Sequence, residues 1–577
     1  MNALPSRGRG RAKPAPKKAG YKMKVETDVY VTMRDGVKIG VRVYRPDAEG
    51  QFPVLFAASP YQYDTDDLPH STLFLWREVG PVEWYVSNGY AYVHADVRGT
   101  GKSEGSFSML GPDEQQDLYE LIEWAASRPW STGKVGGIGQ SYYAWSQWFM
   151  GIVNPPSLKC IAPYDGSVDP YRDVVYHGGL YCEFLTYWAN MVRANNLHRA
   201  AGRPGGKLLD RDLAREFITR QSLDDWWRER SAFERLDEIK VPVLSIGHWG
   251  KLGLHLRGNI LGYERVKAPK KLVVTGARDV FEAHDQFDHI DYHEKELLPF
   301  YDRHLKGVKN GFMDGPPVRL YVRGAETWRE EAEWPLKRAK YVPYYLRRAK
   351  SGSVTSLNDG SLSTEAPSRA EGSTRFAYPD PRWKLGVVGF GPHGPDPVGR
   401  VLTFTTAPLA GDVEVTGPII LELYAASDQL DTDFVVKLSD QQPQDPAARK
   451  AGAQPAFTVV SKGWLRAAHR EKDEKLSTAE RPFYTHTNPQ PLEPGRVYKF
   501  EIEVMPASYL FKKGHRIRLE IANGDSPVTD QIFTHLYLPY KVGVDTIHHN
   551  AARASRLLLP VVPAKHIAPK RGRGRRR

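Results

Sequence analysis

The chain has 577 residues, of which 41% are hydrophobic and 26% are charged. This length exceeds what one hydrophobic core supports, so two or three domains are expected. No apolar run reaches the roughly 18 residues of a membrane span, and the basic amino terminus lacks the apolar segment of a secretion signal. We therefore predict a soluble cytoplasmic protein. The only two cysteines, Cys160 and Cys182, support neither a disulfide framework nor a cysteine metal site, and we interpret both as core residues.

The net charge of +12 is concentrated at the two ends of the chain. Residues 1–20 hold six Lys or Arg, residues 564–577 hold seven, and neither segment has an acidic residue, so the rest is close to neutral. Arg-Gly repeats with Pro and few apolar residues predict two disordered basic tails. Such tails bind RNA, DNA or acidic surfaces weakly, or serve only to keep the protein in solution. Self-association is left open.

Strands and helices alternate between Tyr30 and Gly307, which is typical of an α/β fold with a largely parallel sheet. A helix is predicted over Asp113–Ser127, because its apolar residues recur with helical spacing. We assign residues 21–165 and 240–315 to this domain. Its predicted strands are Gly40–Tyr44, Pro53–Ala58, Ala91–Asp96, Lys134–Ile138, Lys159–Tyr164, Val241–Gly247 and Lys271–Thr275.

Two further regions have a residue pattern different from that of the alternating region. Residues 166–239 are rich in aromatics and helix-like stretches, which predicts a helical cap inserted over the sheet. Residues 316–563 consist of short alternating runs split by Gly and Pro, which predicts an all-β sandwich. Its predicted strands are Val318–Val322, Val401–Thr406, Ile419–Ala425, Phe434–Leu438, Phe457–Val460, Val497–Val504 and Ile517–Ile521.

The most informative segment is Gly139-Gln140-Ser141-Tyr142-Tyr143-Ala144, between a short predicted strand and an apolar helix start. A nucleophile elbow needs these flanks, together with small residues near the serine, because the serine backbone is held in a strained conformation. Gly139 and Ala144 satisfy that need better than Tyr143. The segment predicts a nucleophilic serine at the carboxyl end of a central strand. A glycine-rich turn with an ordinary serine is the alternative.

Motifs along most of the chain resemble the family of cocaine esterases and X-prolyl dipeptidyl-peptidases. The resemblance implies an α/β-hydrolase fold with a helical cap, followed by an all-β jelly-roll domain, and a serine hydrolase activity. The motifs that carry it are Met33-Arg34-Asp35-Gly36, Ser59-Pro60-Tyr61, the run from Asp96 to Gly105, Pro129-Trp130, the elbow, the run from Phe300 to Gly307, Asp431-Thr432-Asp433-Phe434 and the run from Gly514 to Leu519.

By this resemblance, the Tyr61 hydroxyl and the backbone N–H of Tyr142 form the oxyanion hole beside Ser141. The chain departs from the family at the other two catalytic positions. The family places an acid in a Gly-Trp-x-Asp pattern, where this chain has Gly250. The family places its histidine in a Gly-Pro-Trp-x-His pattern, where this chain has Val280.

Three solutions for the missing base are open. A longer loop returns His284 to the serine with Asp279 as its orienting carboxylate, which is the arrangement that we favour. Alternatively His248 or His255 reaches the serine. In the third case no working base exists, and the scaffold binds a ligand without cleaving it.

The sequence therefore predicts a serine hydrolase that cleaves an ester or acyl-amide bond of a small molecule through an acyl-enzyme on Ser141. A catalytically impaired binding protein is the alternative. We expect no cofactor and no metal site, because His289 and His293 share a helix face but lack the glutamate of a zinc-protease helix. The identity of the substrate is left open.

Overall fold

The computed structural model describes residues 20–62, 78–197, 212–378, 401–526, 530, 533–536 and 541–564. Apart from Gly20 and Ala564, the predicted basic tails lie outside the described residues. Within this part of the chain, none of the helices combines the length and the apolarity needed to cross a bilayer.

The first sheet has ten strands in the order β1-β2-β4-β3-β5-β6-β9-β10-β11-β12. Pairing is parallel from β4 through β11 and antiparallel at both edges. The strands are β1 (Met23–Thr32), β2 (Lys38–Pro46), β3 (Phe52–Ser59), β4 (Ala91–Asp96), β5 (Ser131–Gly137), β6 (Leu158–Ile161), β9 (Val243–His248), β10 (Lys270–Thr275), β11 (Val318–Val322) and β12 (Thr327–Glu331).

Helices cover both faces of this sheet, which is why its central strands are continuous apolar runs rather than alternating ones. Every residue of β3 is buried: Val54 and Phe56 belong to one apolar core, and Leu55 and Ala57 to a second one. The α-helices of the whole described chain, in order, are α1 (Val82–Ser87), α2 (Pro112–Ala126), α3 (Tyr142–Val153), α4 (Phe184–Leu197), α5 (Leu213–Thr219), α6 (Asp225–Glu229), α7 (Leu256–Arg265), α8 (Val280–Asp288), α9 (Ile290–Tyr292), α10 (Leu298–Leu305) and α11 (Pro446–Lys450). Of these, α4, α5 and α6 belong to the region predicted as a cap, and α11 belongs to the all-β region.

The region predicted as a cap carries α4, α5 and α6 and a short hairpin of β7 (Tyr176–His177) and β8 (Leu180–Tyr181). Its helices are held partly by side-chain caps, since Asp212 and Asp224 accept hydrogen bonds from the first turns of α5 and α6. Trp188 on α4 contacts Tyr61 from the sheet, so the cap lies against the rim where β3 ends.

Eleven strands form the second sheet, in the order β15-β22-β17-β20-β19-β18-β21-β16-β14-β13-β23, and an additional β17–β23 pairing closes it on itself around one apolar core. These strands are β13 (Lys340–Lys350), β14 (Gly360–Ser363), β15 (Ser373–Tyr378), β16 (Leu402–Thr405), β17 (Val413–Ser427), β18 (Asp433–Gln441), β19 (Phe457–Arg466), β20 (Tyr498–Phe511), β21 (Arg516–Ala522), β22 (Gly543–His548) and β23 (Arg556–Val562).

The predicted fold class is confirmed, with one strand misassigned. Val318–Val322 was predicted to open the sandwich, but it is β11 and pairs in parallel with β10 in the first sheet. The assignment was wrong because alternating burial is the same in a half-exposed strand next to the edge of an α/β sheet as in a sandwich. The first sheet therefore continues past residue 315 to the end of β12.

A buried ion pair ties the turn after β4 to α2. The Arg98 guanidinium donates two hydrogen bonds of 2.6 Å to the Asp117 carboxylate and one of 3.0 Å to Asp35. Asp117→Ala is expected to lower the free energy of unfolding by about 3–5 kcal/mol, since it leaves a buried charge short of its partner. Urea unfolding followed by circular dichroism measures the loss. Glu238→Ala removes an exposed pair with Arg235 and should cost less than about 1 kcal/mol; equal losses would contradict the account.

Candidate active site

Ser141 lies between β5 and α3 with φ 61° and ψ −120°, a backbone conformation that a residue with a side chain rarely adopts. The turn is tight on its amino-terminal side too. A Cβ at Gly139 would lie 2.4 Å from the Cβ of Tyr143, so only glycine fits there. The Ser141 N–H donates to the Tyr164 carbonyl at 3.1 Å and anchors the turn to the sheet. The local geometry is that of a nucleophile elbow.

The Tyr61 hydroxyl reaches Ser141 from the end of β3. It accepts a hydrogen bond of 2.8 Å from the Trp188 indole and lies close enough to the Ser141 side chain for the serine to affect its pKa. Burial, together with the nearby Glu78, raises the pKa of Tyr61 well above its usual value, so the hydroxyl keeps its proton. Because the indole fills one acceptor position on the oxygen, the Tyr61 hydroxyl retains its own proton for donation.

Tyr142 is the first residue of α3, and a backbone N–H at that position has no acceptor within its own helix. Its side chain points away from the reaction centre, since the hydroxyl donates to the Glu114 carboxylate at 2.7 Å. The structure thus brings the hydroxyl of Tyr61 and the backbone N–H of Tyr142, the two donors expected from the sequence, to the same serine.

Glu78 is a functional candidate that the sequence did not reveal. Its side chain is 13% exposed and lies close enough to Ser141 for the serine hydroxyl to lower its pKa slightly. Burial raises the pKa of this carboxyl to about 8, and the negative charge of Asp165 adds to the effect, while Lys251 opposes it. Its carbonyl accepts from the Gln140 N–H at 2.9 Å, which fixes Glu78 beside the elbow. No motif marks this residue in the sequence.

His284 lies next to Glu78, and each of its two ring nitrogens has a defined partner. Nδ1 is 3.0 Å from Oε1 of Gln140, and Nε2 is 3.0 Å from Nζ of Lys251. Because the ammonium can only donate, Nε2 accepts, and we assign the ring proton to Nδ1. Burial, reinforced by Lys251, lowers the pKa of His284 well below its usual value. The ring is neutral, and its Nδ1 is 3.6 Å from Oε1 of Glu78.

Lys251 is fully buried and also pairs with the buried Asp165, at 3.2 Å between Nζ and Oδ2. Gln140 donates to the same carboxylate oxygen at 2.9 Å and so links the ion pair to the elbow. Burial alone would raise the pKa of Asp165, but the nearby His248 and Lys251 together hold it well below the usual range. A continuous polar network therefore runs from Asp165 through Lys251 and His284 to the vicinity of Glu78.

Asp279 does not join this network, so its predicted role needs correction. It is exposed, and it caps α8 by accepting a hydrogen bond from the Glu282 N–H at 2.9 Å. The groups that orient His284 are Gln140 and Lys251 instead. The physical reason is helix capping: α8 begins at Val280, and the aspartate just before it satisfies a free N–H of the first turn.

The two other candidate histidines also lie near the network. His248 contacts the Thr275 hydroxyl through Nδ1, and its Nε2 is 3.6 Å from Asp165. His255 accepts from the Trp145 indole at 3.2 Å. Within the described residues, the hydrogen bonds of these two rings go to Thr275 and Trp145 rather than to Ser141.

Comparison with known proteins places the chain among hydrolases. Residues 35–278 match the X-Pro dipeptidyl-peptidase family (S15 family), and residues 310–558 match the X-Pro dipeptidyl-peptidase C-terminal non-catalytic domain. The chain is 29% identical to the cocaine esterase of Rhodococcus sp., over 93% of this chain and 98% of that protein. It is 24% identical to a putative Xaa-Pro dipeptidyl-peptidase of Bacillus anthracis, over 88% and 83%.

A solved structure with a similar fold is a CocE/NonD family hydrolase from Staphylococcus aureus. It is 26% identical, has a TM-score of 0.78, and the match covers 95% of this chain and 97% of that one. The likeness extends over the α/β domain and the all-β domain together.

Gly250 stands where the family resemblance places an acid, and its surroundings exclude a side chain. A Cβ there would lie 2.4 Å from backbone atoms of Arg278 and Asp279. Gly250→Asp is therefore expected to lower the free energy of unfolding by about 1–3 kcal/mol, because the backbone must shift, and it should not raise hydrolytic activity. Thermal unfolding and ester hydrolysis check both points. Gly411→Ala, at a position with open space, is the control; a Gly250→Asp variant that is more active than the intact protein would contradict the steric argument.

Proposed function

We propose that the chain is a serine esterase of the X-Pro dipeptidyl-peptidase (S15) family, with Glu78 in place of the catalytic histidine. The observation that carries the proposal is the position of a mostly buried carboxyl group of raised pKa beside the serine of a nucleophile elbow. The reaction class is cleavage of a carboxylic ester through an acyl-enzyme.

In the proposed reaction, the Ser141 hydroxyl transfers its proton to the Glu78 carboxylate while its oxygen attacks the carbonyl carbon. The hydroxyl of Tyr61 and the backbone N–H of Tyr142 donate to the oxygen that gains negative charge. Glu78 then gives the proton to the leaving alkoxide. Water repeats the sequence on the acyl-enzyme, with Glu78 accepting a proton from the water and returning it to Ser141.

Glu78 is favoured over His284 because of basicity and position. A base takes a proton effectively when its pKa is near the working pH. The pKa of Glu78 is about 8, whereas that of His284 is held well below 6.5 by burial and by Lys251. The Nε2 atom of His284 is also occupied by the Lys251 ammonium. In this proposal His284 is a positioning residue that acts on Glu78.

An ester is favoured over an amino-terminal dipeptide as the substrate. Recognition of a free amine needs a carboxylate that is not already neutralised by a cation. Asp165 is paired with Lys251, and Asp169 is paired with Arg172 at 2.6 Å. Esters also need less protonation of the leaving group than amides do, which suits a site with one weakly acidic carboxyl.

A non-catalytic binding protein is the second candidate. The observation that favours it is the replacement of both family positions, by Gly250 and Val280. The two candidates differ in whether Ser141 reacts with an acylating or phosphonylating reagent.

Hydrolysis of short-chain nitrophenyl esters is expected from the intact protein, and Ser141→Ala should reduce it to the uncatalysed background. Glu78→Gln removes the base and should lower kcat by about 10²–10⁴-fold. Because the carboxylate form is the active one, kcat of the intact protein should rise with pH through about 8.

Glu83→Gln, an exposed glutamate five positions further along the chain, is the matched control and should leave kcat unchanged. Loss of activity in His284→Gln with an unaffected Glu78→Gln would assign the base to His284. Absence of both turnover and phosphonate labelling of Ser141 would favour the binding protein.

The oxyanion hole is tested separately. Tyr61→Phe should lower kcat by about 10²–10³-fold with little change in KM, as expected for a donor that acts mainly in the transition state. Trp188→Phe keeps an aromatic side chain but removes the indole N–H that donates to Tyr61, so a smaller loss in kcat is expected. Steady-state kinetics measures both, with Tyr30→Phe, half exposed on β1, as the control. Wild-type kcat in Tyr61→Phe would exclude this role.

A further inference from the structure

A second cluster of reactive side chains lies away from Ser141, where the cap hairpin meets the all-β domain. His177 ends β7, Cys182 follows β8, and His535 lies in the segment 533–536. One ligand atom of each lies within 4.8 Å of the other two, and all three residues are buried. Neither the family resemblance nor the proposed hydrolysis uses any of them.

The backbone holds this cluster in place. Cys182 and His535 form an antiparallel bridge. On either side of it, the Glu183 N–H donates to the Thr534 carbonyl at 3.0 Å, and the Leu536 N–H donates to the Tyr181 carbonyl at 2.9 Å. The segment that carries His535 is thus joined to the cap hairpin as an added strand.

The two imidazoles form a chain of three close polar contacts. The Asp525 carboxylate is 2.9 Å from Nδ1 of His535, Nε2 of His535 is 2.8 Å from Nδ1 of His177, and Nε2 of His177 is 2.9 Å from the Asp173 carbonyl. With Asp525 ionised, each contact needs one proton. Two neutral imidazoles supply two protons for three contacts.

The contact between His177 and His535 is therefore short of one proton when both rings are neutral and each donates outward. If each ring donates outward, to Asp525 and to the Asp173 carbonyl, then two nitrogen lone pairs face each other across 2.8 Å. A third proton shared between the two rings would relieve the repulsion. A divalent metal ion between the two nitrogens also removes this repulsion, and the Cys182 thiolate is close enough to bind the same ion.

We propose that His177 Nδ1, His535 Nε2 and Cys182 Sγ bind a divalent transition-metal ion of the zinc class. Imidazole nitrogen and thiolate are ligands that such ions prefer, at about 2.0–2.3 Å, so the two rings must rotate slightly apart. Binding releases the Cys182 proton to solvent. A water molecule completes four-coordination.

The groups outside the ligands fit this assignment. Metal-bound histidines usually donate their second N–H to a carboxylate or a carbonyl, which fixes the ring. Asp525 is placed to accept from Nδ1 of His535, and the Asp173 carbonyl is placed to accept from Nε2 of His177. The other close histidine pair, His469 and His486 at 3.1 Å, is not part of such a group with a cysteine among the described residues. The ion would join the cap to the all-β domain.

The test is titration of chelator-treated full-length protein with Co²⁺, followed by absorption spectroscopy. We expect one equivalent to bind, with a thiolate-to-cobalt charge-transfer band and the strong visible bands of a tetrahedral site. Cys182→Ser should remove the charge-transfer band, while Cys160→Ser, at the other buried cysteine, should leave it intact. Asp525→Asn should weaken binding by about 10–100-fold.

Titration with Zn²⁺ alone supplies an independent readout, because an ion that binds only the folded state raises the unfolding temperature. His289→Asn, at the exposed pair with Asp285, controls for surface binding and should change nothing. If Cys182→Ser does not fold, the cobalt titration of the intact protein still tests the proposal. Absence of a thiolate band from the folded cobalt-treated protein, or a band that survives Cys182→Ser, would overturn the proposal.

Discussion

The buried Lys251 ammonium is the charge on which the arrangement of the active site depends. It is fully buried, 3.2 Å from Asp165 and 3.0 Å from the His284 ring. A buried ammonium is tolerated only when it is paired and hydrogen-bonded, and here one partner is a carboxylate and the other a neutral imidazole. Because Lys251 donates to Nε2, the ring stays uncharged and its Nδ1 proton is directed to Gln140. The same ammonium partly offsets the effect of burial on Glu78.

The two halves of the site have different origins in the fold. The elbow, Tyr61 and Lys251 follow strands of one parallel sheet, and side chains at the ends of such strands meet at one rim. The cap contributes Trp188, whose indole donates a hydrogen bond to the Tyr61 oxygen and so holds that side chain at the rim. A cap that moved relative to the sheet would therefore alter the oxyanion hole as well as access to it.

Part of the candidate site was predictable from the sequence because it depends on the backbone conformation of a few consecutive residues. A strained serine needs glycine close by, and the N–H after it is exposed at a helix start, so Ser141 and Tyr142 follow from six consecutive residues. Glu78, Gln140 and Lys251 were missed because their roles arise from contacts across the fold, such as the one between Gln140 and His284, 144 positions apart. His284 was found by proximity to a family motif, but its partners were not. Asp279 was assigned to the site because its capping role was not considered.

The fold was predictable where patterns are unambiguous. Continuous apolar runs indicated the central strands, and the spacing over Asp113–Ser127 indicated α2 to within one residue. Alternation alone did not distinguish a half-exposed strand of the first sheet from a strand of the sandwich, which is why β11 was misassigned. Its parallel pairing with β10 depends on residues outside the strand itself.

The pH dependence of the rate at which Ser141 is labelled by a fluorophosphonate, followed by intact-protein mass spectrometry, tests the central claim most directly. The step needs only the serine, its base and the oxyanion hole, so substrate specificity does not enter. If Glu78 is the base, the labelling rate should rise with pH and show a midpoint of about 8. A labelling rate that is already at its maximum by the ordinary histidine pKa of about 6.5, or an unchanged profile in Glu78→Gln, would contradict the account.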